Sequence, residues 1–169
     1  MNFIQKRLER LIENETSPNR PARACAFGVG IGLSPYLGIQ TLFVFVLSWI
    51  FGLKTRIVFT VSYIINNPWT MIPIAVFDYL VGSWIAALLR LNLSRYKPAW
   101  VQWLTAWINK KIGHYICRYI NIADFSFWAY MIGGHLVAIV GGVITYFLAK
   151  RFFARMIEKR DFQANEPHA

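Results

Sequence analysis

Residues 57–89, IVFTVSYIINNPWTMIPIAVFDYLVGSWIAALL, decide how this chain folds. The run carries one formal charge, Asp78, and its first third ends in Asn66-Asn67-Pro68-Trp69-Thr70-Met71-Ile72-Pro73. Even 30 helical residues at about 1.5 Å each would reach about 45 Å, well beyond a hydrocarbon core of about 30 Å. Proline removes an amide donor and drives the residue before it out of helical geometry. The run is therefore expected to break at Pro68 and Pro73.

A second run, residues 24–53, holds no formal charge and is interrupted by Ser34-Pro35-Tyr36-Leu37-Gly38. Gly38 frees the backbone to turn where Pro35 has stopped the helix. Two helix-break-helix units are expected, 22–53 and 57–89, read as broken or re-entrant hairpins. Bent full spans would account for the same residues. A third apolar run, 125–149, has no formal charge and contains His135. At about 20 residues per crossing it reads as one ordinary transmembrane helix. On it Gly134, Ala138 and Gly142 recur every fourth residue, a small-residue stripe that lets another helix approach closely.

Composition agrees with these runs. Of 169 residues, 56% are apolar, 17% aromatic and only 15% charged, with a mean hydropathy of +0.39. Soluble domains carry about 25% charged residues. The balance excludes a disordered chain, a collagen or a charged coiled coil. The fold class expected is an all-α integral membrane protein forming a single membrane domain over residues 1–169, in contact with the lipid bilayer.

The net charge of +10 invites a nucleic-acid reading, but the charges lie in the gaps between apolar runs. Lys6, Arg7, Arg10, Arg20 and Arg23 precede the first run, and Lys150, Arg151, Arg155, Lys159 and Arg160 follow the last. That distribution suits loops flanking bilayer segments rather than a basic, aromatic nucleic-acid face. No nucleic-acid partner is expected. Basic clusters at both ends place both termini in the cytoplasm, yet the basic stretch 90–118 is separated from the C-terminal cluster by a single span. Charge counting leaves the number of crossings open.

Two further segments read as interfacial. In residues 1–16, Phe3, Ile4, Leu8, Leu11 and Ile12 form an apolar stripe, so an amphipathic N-terminal helix is expected. In residues 98–120, Trp100, Leu104, Trp107, Tyr115 and Tyr119 share one face, the aromatic pattern of a helix lying at headgroup level or against a partner helix. Residues 150–169 read as a basic and then polar tail. The N-terminus lacks a signal-peptide layout. Cys25 and Cys117 are expected as buried free thiols.

The segment from Ala24 to Gly32 interleaves two small-residue stripes, Ala24/Gly28/Gly32 and Ala26/Gly30, suited to tight packing on two sides. It leads into Gly32-x-x-Pro35-x-x-Gly38-x-Gln40-Thr41, and the second break reads Asn67-Pro68-x-Thr70-x-x-Pro73. These two elements, in this order, resemble a bacterial family of small integral membrane proteins of unknown function. The resemblance covers about residues 17–89 well and reaches loosely to 149. It implies a multi-pass protein of the bacterial cytoplasmic (inner) membrane and supplies no catalytic residue.

Function must then be sought in polar groups at membrane depth. Non-helical backbone there is tolerated only where protein or a water-filled cavity satisfies it. Gln40, Thr41, Asn67 and Thr70 are expected to line a substrate site where the two breaks converge, though Asn and Thr also serve simply as helix caps. Asp78 and His135 are candidate proton-handling groups, since carboxyls and imidazoles inside spans usually mark pathways. An interfacial acid and a hydrogen-bonded packing histidine are the plainer alternatives. No phosphate loop, nucleophile elbow or metal-ligand spacing is present, so no catalytic residue, metal or cofactor is expected. The function expected is a transporter or lipid-translocase-like protein for an anionic or amphiphilic substrate, as a homodimer or larger assembly. The alternative is a non-catalytic membrane scaffold or assembly factor.

Overall fold

A computed structural model of the chain describes residues 17–36, 38–91, 99–108, 110 and 126–165. Six α-helices and no strand occur among them: α1 (Asn19–Gly32), α2 (Gln40–Ile50), α3 (Thr55–Ile65), α4 (Pro68–Leu88), α5 (Ala99–Ile108) and α6 (Phe127–Asn165). The expected N-terminal helix over 1–16 lies outside the described residues, as does most of 98–120 beyond α5. α4 and α6 are long and apolar enough to cross a membrane, while α2 and α3 are shorter apolar helices.

Both long runs divide into helix, break and helix. α1 ends at Gly32 and α2 starts at Gln40; between them Pro35 is non-helical and buried, and Gly38 is exposed at φ +92°. That φ is costly for any residue with a Cβ, which is why glycine stands there. Between α3 and α4 the break is only Asn66 and Asn67. Two expectations need correction here. Pro68 is the first residue of α4 rather than the interruption, a position where its missing amide has no intrahelical partner to lose. Pro73 does not break the chain at all, because α4 continues through it to Leu88. The Asn67 cap starts α4 strongly enough that the loss of one amide six residues later is tolerated.

The last helix also departs from expectation. α6 does not stop near residue 149 but runs 39 residues to Asn165. Lys, Arg, Glu, Ala and Met are good helix formers, and no Gly or Pro intervenes after Gly142 before the helix ends. The basic segment is thus a helical extension rather than a tail.

The chain forms two compact units, with unit one holding α1, α2, α3 and residues 138–165 of α6. Its core is Ala24, Ile31, Val44, Ile57 and Val58, flanked by Cys25, Phe27, Phe43, Leu47, Leu53 and Val61. α1 is packed on two sides, each by one of its small-residue stripes. Gly28 and Gly32 face α3, where added Cβ atoms would come 2.7 Å from Val61 Cβ and 3.0 Å from Ile65 Cβ. On the second stripe, Gly30 approaches the Ala138 carbonyl, and Gly142 of α6 approaches the carbonyl of Ala26. Lower on α6, Phe153 is buried against Ala22, with Met156 and Ile157 beside it. The Tyr146 hydroxyl donates to Asn19 Oδ1 at 3.4 Å.

Unit two holds residues 33–35, α4, α5 and α6 as far as Val137. Its tightest contact is between α4 and α6. A Cβ on Gly82 would overlap the Ala129 carbonyl, and one on Gly133 would overlap the Asp78 carbonyl. The Gly134 Cβ position lies 2.9 Å from the ring of Pro35.

Both α2 and α4 end in the same closing pattern. Leu53 N donates to Ser48 O and Gly52 N to Trp49 O, around Gly52 at φ +59°. Leu91 N donates to Ala86 O and Arg90 N to Ala87 O, around Arg90 at φ +50°. These are paired six-to-one and five-to-two bonds that satisfy the last carbonyls. At α4 the left-handed position is held by an arginine instead of a glycine.

Candidate functional site

The start of α4 is built by four side-chain hydrogen bonds. Asn67, extended at φ −98° and ψ 162°, accepts on Oδ1 from Trp69 N at 2.9 Å and from Thr70 N at 3.2 Å. Thr70 Oγ1 returns the interaction, accepting from Asn67 N at 3.2 Å and donating to Asn67 O at 3.1 Å. Asn67 and Thr70, both expected as substrate-binding residues, thus form a capping box that satisfies the first amides of the helix.

At the start of α2, in unit one, the sequence-adjacent pair Gln40 and Thr41 divides. Gln40 is buried and Thr41 is exposed, because neighbours on a helix point about 100° apart. The residue before the helix, Ile39, offers no side-chain cap. Of the four expected substrate-binding residues, Asn67 and Thr70 bond to each other in unit two, while Gln40 and Thr41 in unit one point apart.

Asp78 lies ten residues into α4 from Pro68, so it sits about 15 Å along the helix. Its face also carries Gly82 and Ala86, one and two turns on, both buried. At 1% exposure Asp78 is among the most buried side chains, and its Oδ1 has no hydrogen-bond partner. A buried carboxyl oxygen left unpaired costs on the order of 1–3 kcal/mol or more. The glycine crossing explains the burial. With no side chain on Gly82 or Gly133 the two backbones touch, and α6 closes over Asp78. Buried Tyr130, on α6, lies within Coulombic reach of the carboxyl. Tyr79, next to Asp78, is buried as well.

His135 is half-buried on α6, and its Nδ1 lies 2.6 Å from the Met131 carbonyl four residues back. A carbonyl can only accept, so Nδ1 carries the proton and donates. That bond to its own helix is the behaviour of a packing histidine.

Tyr130 and Gly133 escaped the sequence reading. The doublet Gly133-Gly134 is their signal: two adjacent glycines present small surfaces on two helix faces, one for each neighbouring segment. Gly134 meets Pro35, while Gly133 meets α4.

Residues 1–161 match the family described as "Uncharacterized protein conserved in bacteria (DUF2062)", and the chain belongs to that family. No curated protein and no solved structure matches the chain.

Proposed function

We propose that this member of the family is a multi-pass protein of the bacterial inner membrane, acting as a transporter or lipid-translocase-like protein for an anionic or amphiphilic substrate. The observation that carries the reading is Asp78, a fully buried carboxyl with an unpaired oxygen on a helix long and apolar enough to span. Placing an acid at bilayer depth costs about 2.5–3.5 kcal/mol on insertion scales, and such residues usually serve a pathway. In this account Asp78 takes up and releases a proton, with Tyr130 on the facing helix as its polar neighbour. Gln40 and Thr41 at the start of α2 supply polar side chains for the substrate, and so, separately, do Asn67 and Thr70 at the start of α4. A chain of this size offers few helices to enclose a path, so the working form is a homodimer or larger assembly.

A second reading, a non-catalytic scaffold or assembly factor, is favoured by the capping box. Asn67 and Thr70 spend hydrogen bonds on each other, and both α1 stripes are used in internal packing. Vesicles containing the purified chain and a fluorescent phosphatidylglycerol separate the two. On the transport reading, the chain speeds the lipid's passage between leaflets, read as loss of the fraction protected from external dithionite. Thr41→Ala, at an exposed position, then slows that passage while leaving thermal stability unchanged. A protected fraction identical to that of empty vesicles contradicts lipid translocation and leaves the scaffold as the better account.

A further inference from the structure

We propose that the exposed face of α6 beyond residue 149 binds the headgroup of an anionic phospholipid. The inference rests on the membrane placement above but not on the transport reading. Counting about 20 residues of hydrocarbon crossing from Phe127 brings the helix to the interface near residue 147. Charge begins there. Lys150, Arg151, Arg155, Lys159 and Arg160 follow within eleven positions, against Glu158 and Asp161.

What the structure adds is that this segment stays helical, so its side chains hold a fixed register. One side, Phe153 with Met156 and Ile157, is packed on α1. The rest of its surface carries a groove of about 810 Å³, bordered by Met156 and otherwise lined, among the described residues, by Phe152, Arg155, Glu158, Lys159 and Phe162. Arg155 and Lys159 are one turn apart, spaced to meet a single phosphodiester between them. Phe152, 51% exposed, lies on the membrane side of the two cations and adds apolar surface suited to a glycerol backbone. Basic clusters directly beyond a span attract acidic headgroups, at roughly fivefold in affinity per Lys or Arg. Charge complementarity therefore selects an anionic lipid over a zwitterionic one. Glu158 in the same groove works against it.

The test is native mass spectrometry of the full chain in detergent, titrated with phosphatidylglycerol and separately with phosphatidylcholine. The wild type is expected to retain phosphatidylglycerol several-fold better. The double variant Arg155→Gln/Lys159→Gln brings the ratio close to one, the charge-keeping Arg155→Lys/Lys159→Arg preserves it, and Glu158→Gln raises it. An Arg20→Gln/Arg23→Gln control, altering exposed cations of α1, leaves it unchanged. The proposal is overturned if the first double variant keeps the full preference, if the α1 control loses as much, or if millimolar inorganic phosphate displaces the lipid.

Discussion

Gly82 of α4 and Gly133 of α6 meet backbone to backbone, so that neither position has room for a single additional carbon. The atoms in the way are main-chain carbonyls of Ala129 and Asp78, not flexible side-chain ends. Alanine at either site must push the helices apart. Overpacking costs about 1–3 kcal/mol, and occasionally more where nothing can yield. Gly82→Ala and Gly133→Ala are each expected to lose at least that much in thermal unfolding of the detergent-solubilised chain. Unchanged melting in both would disprove the close crossing.

The neighbouring glycine makes a different contact. Gly134→Leu drives a side chain into the Pro35 ring, whose nearest atoms are 2.9 Å from the Cβ position. Stability is expected to fall, and Pro35→Ala in the Gly134→Leu background should recover part of the loss. That coupling is read as a double-mutant cycle. Strict additivity would mean the two residues do not touch.

Removing the cap of α4 tests the local origin of the second break. Asn67→Ala deletes the acceptor for two amides and should cost about 1 kcal/mol. Asn67→Asp keeps an acceptor in the same place and should cost little. Equal losses in the two variants would show that something other than the oxygen matters at this position.

Arg90 occupies the left-handed closing position of α4 that Gly52 occupies after α2. A residue with a Cβ costs about 1–2 kcal/mol in that conformation. Arg90→Gly is accordingly expected to raise the melting temperature and Gly52→Ala to lower it. Two shifts of the same sign would contradict the backbone assignment.

The helix-break-helix pattern of both runs was legible because each is too long for one straight span and has a proline in or directly after its interruption. The exact role of each proline was not. Pro68 and Pro73 lie five residues apart, and only the capping bonds of Asn67 show which one begins a helix and which one sits inside it. The two α1 stripes were readable as packing faces, since alternate small residues can serve no other contact so closely. The extent of α6 was not legible because a run of charges looks like the end of a span, although its residues are strong helix formers and Phe153 and Ile157 continue the packed side. At the candidate site, Asp78 stood out as a lone acid in an apolar run. Tyr130 did not, because its burial depends on a glycine pair separated by 51 positions in sequence.

The central claim is that Asp78 handles a proton that transport requires, and the pH profile of translocation tests it most directly. Purified chain in phosphatidylcholine vesicles would be assayed for movement of fluorescent phosphatidylglycerol from mildly acid to mildly alkaline pH, with Asp78→Asn alongside. Asparagine copies the shape of the protonated carboxyl and cannot titrate. The account predicts a rate that changes with pH in the wild type and is flat in Asp78→Asn, with both proteins melting at similar temperatures. A pH-dependent wild-type profile retained in full by Asp78→Asn would contradict it.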